Sequence, residues 1–245
     1  MGLRWGVDVD WEYPELQDRA NVLSLFREFR QFLDAAASPL LLTAALPAGK
    51  KYYEALDLAA IHPFLDFLNI MTYDYHGSSF EPNGPINGNA PYCDPAGGEN
   101  VRDTVLAYVA AGVPTHKLNM GLATYGRTWQ LPGFPPAGLD TVAPVGAGKQ
   151  GACTLQEGTI AYFELQQEPD VHGSNLPHLN YAVKVYEDDA TNTWNVAAYD
   201  TKETHTQKNM RSRRNGTRRL RRLGYRHGRR LPTHQRHRRL RLRRF

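Results

Sequence analysis

Residues 6–13 read GVDVDWEY, and the alternation within this stretch decides the fold. Val7, Val9 and Trp11 alternate with Asp8, Asp10 and Glu12, which is the period of a β-strand. The three acids therefore share one face, with successive members roughly 7 Å apart. A strand with one apolar and one triply acidic face fits two settings: an exposed edge whose acids are solvated, or a parallel barrel whose interior holds them. The valines and Trp11 on the opposite face favour the barrel. Three carboxylates lined up in such an interior do not all ionise comfortably, and one becomes a proton donor near neutral pH. Glu12, last on the strand, falls at the C-terminal rim, where barrel enzymes place their chemistry.

Outward from this strand the chain keeps the same architecture. Residues 21–37, NVLSLFREFRQFLDAAA, set Val22, Leu25, Phe26, Phe29, Phe32 and Leu33 at helical spacing with charges opposite. Residues 40–47, LLLTAALP, form a near-continuous apolar run, as expected of a parallel strand covered on both faces. A short amphipathic stretch, 54–64, leads to a further strand, FLNIMTYDY, at 67–75. Residues 76–100 are rich in Gly, Pro and Asn and read as a long loop of the kind that is functional or disordered. NVRDTVLAYVAAG, 100–112, predicts a helix with Asn100 as N-cap and Gly112 just past its end. KLNMGLATY, 117–125, predicts another strand. Strands alternating with helices imply parallel neighbours joined by crossovers. Residues 129–152 are Gly/Pro-rich and 153–199 lose the alternation, which predicts an insertion.

Charge divides the chain sharply. Residues 202–245 carry 2 Lys and 16 Arg against one acid, Glu203, whereas residues 1–201 carry 11 basic and 24 acidic side chains. The tail has no apolar period and is expected to be disordered from Thr201 onward. Nucleic acid is a partner only through this tail, by salt-sensitive phosphate contacts. No run is long and apolar enough to span a membrane. The opening MGLRWGVDVD does not read as a secretory signal. Cys93 and Cys153 permit one disulfide without demanding it.

GVDVDWEYP resembles the latter part of the glycoside hydrolase family 18 signature, DxxDxDxE followed by Tyr and Pro, found in chitinase-like barrels. The resemblance implies that Glu12 is the general acid, Asp10 the carboxylate orienting the substrate acetamido group, and Asp8 its buried partner. It also implies a substrate-assisted reaction in which the sugar's own N-acetyl oxygen is the nucleophile. The signature's first Asp falls at position 5, which is Trp5 here. MTYDYHG, 71–77, resembles the sixth-strand motif. It implies that Tyr73 donates to the acetamido oxygen, that Asp74 bonds within the same subsite and that Met71 packs beneath the sugar. GLATYGRTW, 121–129, resembles the seventh-strand motif and implies sugar contacts from Tyr125 and Arg127. By chemistry alone Arg127 equally fits an arginine satisfying a loop carboxylate. LLTAALPAG resembles the fifth strand, with small Ala44 and Ala45 leaving room in the interior. GTIAYFEL, 158–165, resembles a strand-helix piece of the small α+β domain inserted after strand seven, and TWNVAAYD, 193–200, resembles that insertion's return to the barrel; Trp129 at the insertion's start would offer an aromatic face to a sugar.

The expectation is thus an α/β chain: a partial TIM (β/α)8 barrel, strands four to seven, over residues 1–128, an α+β insertion over 129–200, and an Arg-rich disordered tail over 201–245. Both ends break where family sequence is expected to continue, and the tail reads as a shifted frame. The resemblance implies a retaining hydrolase of β-1,4-linked N-acetylglucosamine in chitin or chito-oligosaccharides, acting outside the cell with no metal and no cofactor. The alternatives are an inactive lectin-like relative on the same fold and a non-functional fragment.

Overall fold

The computed structural model describes residues 5–38, 40–81, 86, 92, 98–135, 143–168, 172–176, 181–188 and 191–214. Its first layer contains β1 (Gly6–Asp10), α1 (Arg19–Asp34), β2 (Leu41–Pro47), the short helices α2 (Lys50–Tyr53) and α3 (Leu58–Ile61), β3 (Phe67–Met71), α4 (Val101–Ala110) and β4 (Leu118–Met120). The four strands form one sheet in sequence order, every pair parallel. Asp8 lies opposite Thr43, Asn69 opposite Ala45 and Asn119 opposite Asn69, so the polar residues share one face of the sheet and step by two residues between β2 and β3.

Side-chain alternation separates two faces of this sheet. On β2, Leu42, Ala44 and Leu46 are buried, while Leu41, Thr43 and Ala45 are half-buried on the other side. The buried face packs on helices: Val22, Phe26 and Leu33 of α1 join Leu42, Ala44 and Leu68 in one core. Each such apolar side chain contributes roughly 1.5–3 kcal/mol on burial. Polar groups tie the helices down. Arg19 donates to the carbonyls of Glu54 and Ala55 at 2.6 and 3.1 Å, and Tyr108 donates to the Pro47 carbonyl at 2.7 Å. The α4 boundaries follow the sequence reading. Asn100 accepts from the Asp103 N–H at 3.0 Å, and Gly112 takes φ +90°, which a side chain would resist.

The second layer is an antiparallel sheet. Its strands are β5 (Tyr125–Leu131), β6 (Gly146–Ala147), β7 (Thr159–Ala161), β8 (His172–Leu176), β9 (Tyr181–Asp188) and β10 (Thr193–Tyr199), with the one-turn α5 (Tyr162–Leu165) after β7. The order is β6-β5-β10-β9-β8, and β7 also pairs β5. Trp129, Leu131, Val183, Val185 and Val196 form its core.

Three sequence expectations change. The strand expected at 117–125 is two strands in two sheets: β4 stops at Met120, and Tyr125 opens β5. The boundary expected between 128 and 129 therefore falls inside β5, with Arg127 and Trp129 on one antiparallel strand. Residues 202–214 are not structureless but form α6 (Lys202–Arg214). Lys208 of this helix is buried and donates to both oxygens of buried Asp200, at 2.5 and 2.7 Å, while Thr204 donates to one of them at 2.8 Å. The helix lacks an apolar stripe, so periodicity could not reveal it; a buried ion pair holds it. Residues 215–245 and Cys93 lie outside the described residues. Among those described, no helix is long and apolar enough to cross a membrane.

Candidate active site

The acidic strand places Asp8, Asp10 and Glu12 together, but on an exposed face. The enclosed interior expected for them is therefore corrected: among the described residues β1 pairs only with β2, and its outer edge carries no strand. Asp10 nonetheless has its carboxyl raised above the ordinary value of 3.8, by partial loss of hydration and then by the charges of Glu12 and Asp8. Tyr13 follows Glu12 and is half-buried. Burial and a hydrogen bond to the Glu12 carboxylate push its phenol far up, so it stays neutral. Its ring stacks on Tyr52, centroid to centroid 4.3 Å.

Asp8 is held from below by the polar row. Thr43 and Asn69 both donate to its Oδ1, the latter at 3.0 Å, and Asn119 donates to Asn69 Oδ1 at 2.9 Å. Sequence reasoning missed Thr43, Asn69 and Asn119. The signal available was a polar residue, on each of three otherwise apolar strands, at the parity facing away from the helices.

The segment after β3 brings a second group to the same side. Met71 is buried at the strand end, and Thr72 donates to the Gly121 carbonyl at 2.8 Å. Tyr73 is pushed up to about 12 by burial and by the charges of Asp74, Glu12 and Asp10, which gives it a neutral hydroxyl within the field of all three acids. Its ring meets Tyr125 edge-on at 6.3 Å. Asp74 has φ +57°, a left-handed conformation that Asp tolerates better than most side chains. It accepts from Arg127 Nε at 2.7 Å and hydrogen-bonds the Tyr125 hydroxyl, whose pKa rises through burial and then through the Asp74 charge.

Of the sequence candidates, Asp8, Asp10, Glu12, Tyr73, Asp74 and Tyr125 gather on one side. Arg127 is buried beneath them. Its remaining fork reaches Thr159 Oγ1 at 2.8 Å, and its guanidinium lies 5.5 Å from the Phe80 ring centroid and 5.4 Å from that of Tyr125. Of its two roles, the structure gives it the carboxylate partner. Trp129 is the correction: it is 0% exposed within the second sheet's core, so its ring has no face for a sugar. It sits two residues along β5 from Arg127, and the apolar side chains of Leu131, Val183, Val185 and Val196 enclose it.

Chemically, the site offers a row of carboxyl groups, that of Asp10 with its pKa raised, beside a neutral phenol donor, with an ion pair fixing the adjacent turn. Such a set suits proton delivery to an oxygen while a nearby amide is hydrogen-bonded. Residues 5–216 match Glycosyl hydrolases family 18, and the chain belongs to that family. It is 39% identical to Probable chitinase 2 of Drosophila melanogaster over 171 residues, covering 66% of this chain and 33% of that protein. It is 30% identical to Chitinase-3-like protein 2 of Homo sapiens over 198 residues, 73% of this chain and 49% of that protein. Among solved structures, the Ostrinia furnacalis Group IV chitinase superposes with TM-score 0.75 at 27% identity, covering 89% of this chain and 61% of that one. The Class V chitinase from Nicotiana tobaccum, of which a mutant was solved in complex with NAG4, gives TM-score 0.73 at 27% identity, with 86% and 61% covered. The fold is thus of the TIM-barrel α/β type. The chain spans about a third to a half of the length of these curated relatives.

Proposed function

We propose that the acidic strand and the Tyr73–Asp74 turn form the catalytic side of a chitinase-type site, cleaving β-1,4-linked N-acetylglucosamine with retention. The observation that carries this reading is that Tyr73 lies within the electrostatic reach of Glu12, Asp10 and Asp74 together. Glu12 is the proton donor to the leaving sugar and then the base for water. Asp10, with its raised pKa, orients the acetamido nitrogen, and Tyr73 donates to the acetamido oxygen as that oxygen attacks the anomeric carbon. Tyr125 and Met71 contribute to the walls, while Arg127 acts through Asp74. On this reading β1 to β4 are barrel strands four to seven, the antiparallel sheet is the insertion, and the protein works outside the cell.

A lectin-like reading has one observation of its own. Trp5 occupies the position of the signature's first Asp and is 71% exposed, so the row of acids stops at Asp8. Glu12→Gln separates the two. The hydrolase reading expects release of N-acetylglucosamine oligomers from chito-oligosaccharides to fall at least about 100-fold, with sugar binding retained. Binding without any turnover in the unaltered chain would leave the lectin reading standing instead.

A further inference from the structure

Asp8 and Asn119 are three strands apart, yet one chain of hydrogen bonds joins them. Thr43 of β2 and Asn69 of β3 both give protons to the same oxygen of Asp8, and Asn119 of β4 gives one to Asn69. The chemistry fixes every orientation in the row. An ionised carboxylate only accepts, so Asn69 must present its amide nitrogen to Asp8. Its own oxygen is then turned to Asn119, which must present nitrogen in turn. Asn119 is buried and Asn69 half-buried, so neither amide is free to flip without leaving polar atoms unpaired.

We propose that Thr43, Asn69 and Asn119 are positioning residues, a one-directional relay that holds Asp8 as an acceptor beneath Asp10. The consequence falls on Asp10, the neighbour two residues along the same face. The groups facing Asp10 are Asp8 and Glu12 on its own strand and Tyr73 from the turn after β3. With its donors in place the Asp8 carboxylate is fixed on the face it shares with Asp10, where its charge opposes ionisation of Asp10. Without them it is free to turn away, and Asp10 ionises more readily. The relay gives this role meaning only if Asp10 orients substrate as proposed above, but the test needs no substrate.

The experiment is a carboxyl-carbon NMR titration of the full chain labelled at aspartate, with the Asp10 resonance assigned through Asp10→Asn. Thr43→Val, Asn69→Leu and Asn119→Leu each remove a donor at near-constant shape, and Thr43→Ser restores the hydroxyl. The expected result is an Asp10 midpoint lower by about half a pH unit in the first three and unmoved in Thr43→Ser. A merely structural row would lower the urea midpoint and leave the Asp10 titration where it was, which overturns the proposal. A shift in Asn69→Leu absent from Asn119→Leu overturns the relay. Should leucine at 69 prevent folding, the Thr43 pair decides alone. Loss of hydrolysis with an unmoved relay, or the reverse, tells this proposal apart from the catalytic reading.

Discussion

Arg127 Nε stands 2.7 Å from the Asp74 carboxylate, and the pair links the antiparallel sheet to the turn that carries Tyr73. Arg127 is nearly fully buried, whereas the Asp74 side chain keeps 31% of its exposure. The arginine also bridges to Thr159 on β7, so one side chain connects three segments. Arg127→Leu is expected to cost about 1.5–3 kcal/mol, the range for hydrogen bonds to a charged group. Asp74→Asn should cost less than Asp74→Ala, because asparagine keeps an acceptor and tolerates φ +57°. Urea unfolding of the three variants checks both statements. Equal losses for the Asn and Ala variants would contradict the role given to the backbone conformation.

Gly121 is the second constraint on Tyr73. A Cβ there would sit 2.7 Å from the Tyr73 ring and 2.8 Å from the Ile70 carbonyl oxygen, and the carbonyl belongs to a paired strand that cannot retreat. Gly121→Ala is therefore expected to displace Tyr73 and cost about 1–3 kcal/mol. Affinity for chito-oligosaccharides, read by calorimetry, should fall with it. Unchanged affinity in a folded variant would separate Tyr73 from the sugar site.

The sequence was legible wherever the signal was local. Alternation placed β1 within Gly6–Tyr13, the 3.6-residue period placed α1, and the capping pair Asn100 and Gly112 bounded α4. Residues that act through distant partners were not. Arg127 could not be assigned between sugar and carboxylate, since Asp74 is 53 residues away and only folding brings them together. Trp129 was misread because an aromatic residue near a site motif looks the same in sequence whether a core encloses it or not. Thr43, Asn69 and Asn119 each read as an ordinary strand residue; only the folded sheet brings them onto one face, where hydrogen bonds join them to Asp8.

Glu164 gives a pH-dependent prediction far from the acidic strand. Its carboxylate caps the Cys153–Ala161 loop, accepting from the N–H groups of Cys153, Thr154 and Ala161 and from the Thr154 hydroxyl. Burial works to raise its pKa, but those donors outweigh burial and hold it below 4.5. With the folded value depressed, the unfolded chain takes up the proton first as pH falls. The stabilisation is therefore complete above about 4.5 and is lost as pH drops through the folded value. Glu164→Gln should cost about 1.5–3 kcal/mol near neutrality. The gap between the two proteins should close in acid. A gap that stays constant down to pH 3 would show that the charge contributes nothing.

The last prediction concerns whether the fold needs α6. The composition alone suggested Thr201, and a cut there should then be harmless. The structure argues otherwise, because Asp200 is 4% exposed and its partners Thr204 and Lys208 both lie beyond that point. His205 adds a contact from its ring nitrogen to the Ala123 carbonyl at 3.1 Å, just before β5 begins. Ending the chain at 201 would leave a buried carboxylate without its cation, at a cost of about 3–5 kcal/mol. Ending it at 214 keeps the pair and should leave the unfolding midpoint unchanged. Residues 215–245 contribute 13 arginines and no acid, so the same cut should remove most affinity for duplex DNA and flatten its salt dependence. Calorimetric unfolding and a DNA titration on the full chain, residues 1–214 and residues 1–201 give the comparison. Equal stability of the two shortened chains would mean that the Asp200–Lys208 pair does not hold α6 to the sheet. Undiminished DNA binding by residues 1–214 would place the polyanion site within those residues.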